Sequence, residues 1–288
     1  MIIESAFSIL PESIAGLGFQ RVSREANAVG AFSFSLLNAL HSKNVIDPIQ
    51  RLQLEKPYST KMAPLPEGKD ARHCDVFIDY GGSKIGSKQL ANYGWRYRNY
   101  VEAKFLKSYN RTKSGQDTRA STNSAEIIAD LIRLVALVPE PECFTGRQSP
   151  QTSTARYFLV LSDYPLFIFI NQYLKDLHEL FENPSKRAQI TIDLSSGKAA
   201  GAFAEKVGSN FNMLKLELTQ CTCFSHFPLD AKCKDSCWML LIRIDSAKLT
   251  LNANGVSRSF TINIDRSLSE GNKGDYKAIR DFVSINIQ

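Results

Sequence analysis

The sequence predicts an α/β fold with a mixed central sheet flanked by helices and a β-rich C-terminal region. Two observations lead to this prediction. Up to residue 185, segments with apolar residues at helical spacing alternate with short apolar or aromatic runs that are typical of strands. After residue 185 the segments are almost all strand-like. The 288 residues suffice for a large core, which we expect residues 1–185 to form and residues 186–288 to complete.

The first part of the chain contains most of the predicted helices. Helices follow from apolar residues at helical spacing, strands from β-branched and aromatic runs, and loops from proline and glycine. The predicted order is a mildly apolar segment at 1–20, a helix at 23–40 capped by Ser23, a loop at 55–70, strands at 75–80 and 95–105, a loop at 108–122, a helix at 123–138, a strand at 156–162 and a helix at 171–182. Between its ends, Arg156 and Ser162, the strand at 156–162 is wholly apolar, which is typical of burial on both faces.

The last part of the chain predicts strands joined by short turns. The expected strands are 188–194, 213–220, 237–245, 247–251 and 258–264, and a short helix is expected at 274–282. The polar sequence Asn252–Gly255 is typical of the turn of a hairpin between the last two strands.

Composition and missing motifs exclude several classes of protein. Hydrophobic residues make up 43% and charged residues 22%, as in ordinary globular proteins. The longest apolar run, 158–170, is shorter than a membrane span and contains Asp163 and Pro165. The N-terminus lacks the pattern of a signal peptide, so we expect a cytoplasmic protein. No Walker loop, nucleophile elbow or dinucleotide-binding glycine motif is present, which argues against ATPases, serine hydrolases and Rossmann enzymes.

Positive charge is concentrated between residues 84 and 119. This segment holds nine basic residues and two acidic ones, whereas the whole chain has a net charge of +6. Such a local positive field is typical of proteins that bind nucleic acid, and a solvated basic loop is the alternative. The candidate nucleic-acid contacts are Lys84, Lys88, Arg96, Arg98, Lys107, Arg111, Lys113 and Arg119.

Two acidic residues and a lysine form the candidate catalytic group. Asp75 opens one predicted strand, and Glu102 and Lys104 lie near the end of the next. Antiparallel pairing would bring these ends together, and residues two apart on a strand share a face. Paired carboxylates suit Mg²⁺, and a lysine stabilises charge that develops on a phosphoryl group. The alternative is an ordinary Glu–Lys pair on the surface.

This arrangement resembles the PD-(D/E)xK nuclease superfamily, which has the restriction-endonuclease-like fold. The matching segments are CDVFID at 74–79 and VEAKF at 101–105, and the predicted order of elements over 23–162 is similar to the core of that fold. The chain has no helicase or methylase segment, and its size looks most like that of a type II restriction endonuclease. Such enzymes act mostly as homodimers, which match the symmetry of their DNA sites.

The resemblance also implies roles for individual residues. It implies one or two Mg²⁺ ions at the site, and a Lys104 that orients or activates the attacking water. The implied and competing metal ligands are Asp75, Glu102, the main-chain carbonyl of Ala103, Asp79 as a rival to Asp75, and Glu25 from the first helix. Asp79 lies about 13 Å from Asp75 along the strand at ~3.3 Å per residue, so one metal ion cannot easily use both.

The predicted function is therefore that of a Mg²⁺-dependent endonuclease that cleaves double-stranded DNA, as a type II restriction enzyme does. Residues 186–288 would supply contacts for DNA recognition or dimerisation. Two alternatives stay open: a repair or mobile-element nuclease that recognises DNA structure, and a non-catalytic DNA-binding protein. RNA as the nucleic acid also stays open.

Four clustered cysteines suggest a second kind of site. Cys221, Cys223, Cys233 and Cys237, with His226 between them, could hold a structural zinc ion. Their spacing is not that of a standard zinc motif, and free thiols in a reducing compartment are the favoured alternative.

Overall fold

The structure, a computed structural model, consists of a mixed β-sheet with helices on both faces. It describes residues 2–17, 24–57, 73–80, 98–108, 117–136, 154–184, 188–193, 213–228, 237–253 and 256–263. The predicted α/β class is confirmed.

Five helices and eight strands lie within the described residues. The helices are α1 (Ile2–Leu17), α2 (Glu25–Ser42), α3 (Pro48–Arg51), α4 (Ala120–Ala136) and α5 (Lys175–Glu182), and a 3₁₀ turn spans Leu166–Phe169. The strands are β1 (Leu52–Pro57), β2 (His73–Asp79), β3 (Arg98–Leu106), β4 (Thr154–Ser162), β5 (Ala188–Asp193), β6 (Met213–His226), β7 (Trp238–Ala253) and β8 (Val256–Asn263). No helix among these residues is long and apolar enough to cross a membrane.

The strands follow the order β1-β2-β3-β4-β7-β6-β5, and β8 pairs with β7. The pair β3–β4 is parallel and the other pairs are antiparallel. Because β4 pairs with β7, the strands after residue 185 belong to the same sheet as β1 to β4.

The helices divide into two layers because the strands bury both of their faces. One core cluster joins α1 and α2 to the sheet, and the other joins α4 and α5 to its opposite face. Side chains alternate between these layers along β3, so that Val101 and Ala103 face α2 whereas Tyr100 and Leu106 face α4. By the same alternation, Glu102 and Lys104 lie on the side of α4. In β4, residues 155–162 are all buried.

Several elements in the first part of the chain differ from the sequence prediction. The segment expected only to be mildly apolar contains α1, and the helix expected from residue 171 begins at Lys175. A loop is expected from residue 55, whereas β1 continues to Pro57, which is tolerated because β1 is an edge strand. A loop is also expected up to residue 122, whereas α4 begins at Ala120. The turn before α4 is stabilised because the N–H of Arg119 donates to the Asp117 carboxylate.

The C-terminal strands are longer than the sequence predicts. The segments 237–245 and 247–251 form one strand, β7, because β4 pairs with its first half and β8 with its second half. Strand β6 continues past residue 220 to His226, since Cys221–His226 pair with β7. Ser23, the centre of the turn at 254–255 and the expected helix at 274–282 lie outside the described residues.

Candidate active site

The candidate site lies where β2 and β3 diverge. Their antiparallel pairing runs from Asp79 opposite Arg98 to Val76 opposite Val101 and is not continued beyond. The next N–H on this edge of β3, that of Ala103, donates to Asp75 Oδ2 at 2.6 Å. The Asp75 carboxylate thus takes the place of the missing strand partner, because a strand N–H that is shielded from water needs an acceptor.

A second carboxylate continues this edge from another element. Glu25 is the first residue of α2, and its Oε2 accepts the N–H of Phe105 at 3.4 Å. Asp75 and Glu25 therefore accept hydrogen bonds from the N–H groups of Ala103 and Phe105, which follow each other along this edge of β3. The N-terminus of α2 consequently reaches the site from the layer opposite α4.

Glu102 lies beside Asp75 on the face of the sheet covered by α4. One step earlier on each strand, the rings of Phe77 and Tyr100 pack together with centroids 4.8 Å apart. The Glu102 side chain is 3% exposed and makes a side-chain hydrogen-bond contact with Asp75. Two carboxylates from neighbouring strands are therefore in direct contact in a site that is largely closed to water.

Lys104 completes the predicted group and is held by two further carboxylates. Its Nζ lies 3.1 Å from Glu126 Oε2 on α4 and 3.6 Å from Glu25 Oε2 on α2. The lysine side chain is only 18% exposed. The ammonium group is thus fixed between the two helical layers, one residue beyond Ala103.

Three charged residues of α4 belong to the site but were not candidates from the sequence. Glu126, Asp130 and Arg133 are spaced by four and three residues and therefore share a helical face. Arg133 pairs with Asp130 through Nη2, and its Nη1 lies 3.8 Å from Glu102 Oε1. A charged stripe at helical spacing within an otherwise apolar helix is the signal that could have identified these residues.

The electrostatics of the site are dominated by excess negative charge. Glu25, Asp75, Glu102, Glu126 and Asp130 are set against Lys104 and Arg133, five carboxylates against two cations. Burial raises the pKa of Asp75, and the hydrogen bond from Ala103 and the contacts with Glu102, Arg133 and Lys104 only partly offset this rise. Burial also raises the pKa of Glu25, against the lowering effect of Lys104.

The donor set fits a small hard cation. Asp75 and Glu102 supply carboxylate oxygens, and in an extended strand the C=O of Ala103 points to the same side as its N–H, toward Asp75. A divalent cation there would offset the excess of carboxylates. Within the part of the chain that the structure describes, no three His, Cys, Asp or Glu side chains alone form a group that could hold a metal ion. The main-chain carbonyl is therefore an essential part of this candidate set.

Asp79 and Arg98 lie at the other end of the β2–β3 pair. They stand opposite each other, and Arg98 Nε is 3.7 Å from Asp79 Oδ2. Of the two rival aspartates, only Asp75 is beside Glu102. Arg98 is likewise placed away from Lys104, at the far end of the strand.

A polar cavity of about 220 Å³ adjoins Lys104. Two of the predicted nucleic-acid contacts, Lys107 and Arg119, line it together with Arg24 and Asn123. Basic side chains therefore border the site on the side away from Asp75. The other predicted contacts lie outside the described residues: Lys84, Lys88, Arg96, Arg111 and Lys113.

The described cysteines do not converge on one zinc site. Cys221 and Cys223 contact each other on the α4 face of the sheet, whereas Cys237 belongs to the core on the α1 face. Burial raises the pKa of the Cys237 thiol. The sheet thus separates Cys237 from Cys221 and Cys223, and Cys233 lies outside the described residues.

The site thus combines a pair of contacting carboxylates, a main-chain oxygen, a half-buried lysine and a basic border. These groups can hold a divalent cation, place a positive charge beside it and attract an anion. Comparisons with known protein families, with curated proteins and with solved structures found no match to this chain.

Proposed function

We propose that this protein is a Mg²⁺-dependent endonuclease that hydrolyses phosphodiester bonds in double-stranded DNA. The observation that carries the proposal is the convergence of Asp75, Glu102 and Lys104 beyond the last paired residues of β2 and β3. A Glu–Lys pair on an exposed strand would need neither the second carboxylate nor the burial of Glu102.

The proposed roles follow from the position of each side chain. Asp75 and Glu102 hold the ion, and the hydrogen bond from Ala103 fixes the orientation of Asp75. Bound Mg²⁺ would polarise the phosphate and lower the pKa of a coordinated water. Lys104, held by Glu25 and Glu126, orients the attacking water or stabilises the negative charge that develops on the phosphoryl oxygens.

The fold and the basic border support a nucleic-acid substrate. Apart from the one-turn helix α3, the order α2, β1, β2, β3, α4, β4, with β3 parallel to β4, is similar to the core of the restriction-endonuclease-like fold. Lys107 and Arg119 lie beside Lys104 and can contact backbone phosphates on either side of the scissile one. We therefore extend the proposal to a type II restriction enzyme that acts as a homodimer.

The test is cleavage of long natural duplex DNAs by the purified protein, with Mg²⁺ or with EDTA. We expect discrete fragments only with Mg²⁺, and no cleavage by Glu102→Gln or Lys104→Ala. Lys215→Ala is the matched control, because Lys215 forms a comparable Lys–Glu contact of 3.1 Å on another strand.

The other outcomes discriminate between the alternatives. A Mg²⁺-dependent smear, or cleavage only at junctions or ends, would replace the restriction enzyme by a structure-specific nuclease. DNA that is bound with a steep salt dependence but left intact with and without Mg²⁺ would indicate a non-catalytic DNA-binding protein. Normal cleavage by Lys104→Ala would show that the site is wrongly located.

A further inference from the structure

A second and larger cavity lies between α1 and β6, on the sheet face opposite α4. Its volume is about 650 Å³, within the range of about 300–1,000 Å³ that is typical of sites for small molecules. Its apolar wall includes Phe7 and Pro11 from α1 and Phe224 from β6. Glu4, from the first turn of α1, also lines it. The fold thus contains a cavity that is partly apolar and is lined by one acidic side chain.

Glu4 is buried, and its hydrogen bonding is incomplete. Its side chain is 9% exposed, and Oε1 is 3.0 Å from the Tyr157 hydroxyl, which donates to it, and 3.3 Å from Arg243 Nη1. The other oxygen, Oε2, is buried and accepts no hydrogen bond from the described residues. A buried carboxylate oxygen without a donor costs free energy, and a positive charge held nearby in the cavity would offset part of that cost.

The charges around Glu4 leave an excess of negative charge. Arg243 is shared with Asp245, since Nε lies 2.7 Å from Asp245 Oδ1, so one guanidinium faces two carboxylates. Tyr157 adds no positive charge, and burial together with the charge of Glu4 raises the pKa of its hydroxyl.

We propose that this cavity binds a small organic cation, namely a protonated amine carried on an apolar body. The ammonium group pairs with the Glu4 carboxylate where this side chain lines the cavity, and the body packs between Phe7, Pro11 and Phe224. The inference is independent of the nuclease proposal, because the cavity shares no residue with the candidate active site.

The test is isothermal titration calorimetry of the full chain at slightly alkaline pH. The probes are 2-phenylethylamine and 2-phenylethanol, which share a body and differ in the ammonium group. We expect saturable binding of the amine and at least about tenfold weaker binding of the alcohol, as the loss of a charged hydrogen bond implies. Glu4→Gln should weaken binding of the amine by a similar factor and leave binding of the alcohol unchanged.

A second variant tests the same cavity without altering Glu4, so that a change of fold in Glu4→Gln would not decide the result. Ser8 is exposed on α1 and lines the cavity, so Ser8→Trp fills the space without touching the buried charges, and it should abolish binding of the amine. Asp79→Asn, at a distant site, should bind as the unaltered protein does. The proposal is overturned if the amine does not bind saturably, if amine and alcohol bind equally, or if Ser8→Trp binds the amine normally.

Discussion

Asp75→Asn should change stability in opposite directions with and without Mg²⁺. Asparagine keeps an oxygen that can accept the N–H of Ala103, so the local hydrogen bond survives. It removes one negative charge from a cluster in which Asp75 contacts Glu102 and lies near Glu25. Without Mg²⁺ the variant should therefore be more stable than the unaltered protein at neutral pH, by about 1 kcal/mol for partly screened charges.

With Mg²⁺ bound, the unaltered protein should be more stable than Asp75→Asn. At a Mg²⁺ concentration one hundred times Kd, binding stabilises the folded state by about 2.7 kcal/mol, which is about 4–5 °C in Tm for a chain of this size. Asp75→Asn leaves Glu102 as the only carboxylate of the pair. If Mg²⁺ affinity falls about a hundredfold, the same concentration stabilises the variant by only about 0.4 kcal/mol.

The assay is thermal unfolding followed by circular dichroism, with a Mg²⁺ titration at constant ionic strength. Asp79→Asn is the control, because it makes the same chemical change on the same strand but at the end away from Glu102. It should change stability by less than about 0.5 kcal/mol and retain the full effect of Mg²⁺. The reasoning is refuted if Asp75→Asn retains the Mg²⁺ effect, or if both aspartate variants lose it equally.

Three further predictions concern the same cluster. Lys104→Ala should lower cleavage at least about a hundredfold while Mg²⁺ still raises Tm, since the lysine is placed beside the ligands and is not one of them; parallel cleavage and melting assays check this. Arg133→Gln should cost about 3–5 kcal/mol in chemical denaturation, because it leaves buried Asp130 and Glu102 without their cation, and adding Asp130→Asn should recover part of that loss. Without Mg²⁺, the raised pKa of Asp75 means that the folded state binds a proton on this carboxylate more tightly than the unfolded state does. Lowering the pH through that pKa should therefore stabilise the unaltered protein relative to Asp75→Asn. Melting curves at several pH values would show this difference.

Local patterns were sufficient to place most elements of the fold. Apolar spacing located α2 and α4 to within a few residues, and the apolar run at 156–162 identified the strand β4 as buried on both faces. The boundaries that differ in the C-terminal strands were decided by pairing with distant residues. The strand β7 continues through residue 246 because β4 and β8 pair with its two halves, and no local signal contains that information.

The candidate site shows the same division between local and distant information. Spacing alone places Glu102 and Lys104 on one face, and the antiparallel hairpin predicts Asp75 as their neighbour. Asp75 and Asp79 share a face in a strand pattern, and the sequence favours Asp75 because it opens the predicted strand. The end of the pairing at Val76 shows that Asp75 lies beyond the paired residues whereas Asp79 is paired. Glu126 comes from α4, and its approach to Lys104 depends on how that helix packs on the sheet.

The sequence by itself determined the α/β class, the two strands of the hairpin and the residue types that could bind a metal ion, because these depend on contacts between near neighbours in the chain. The tertiary structure decided which carboxylates meet. Glu25 and Glu126 hold Lys104 from opposite helical layers, and Glu4 reaches Arg243 across most of the chain length. Such contacts follow from the packing of helices on a sheet, where burial and hydrogen bonding over the whole core select the partners and local sequence does not.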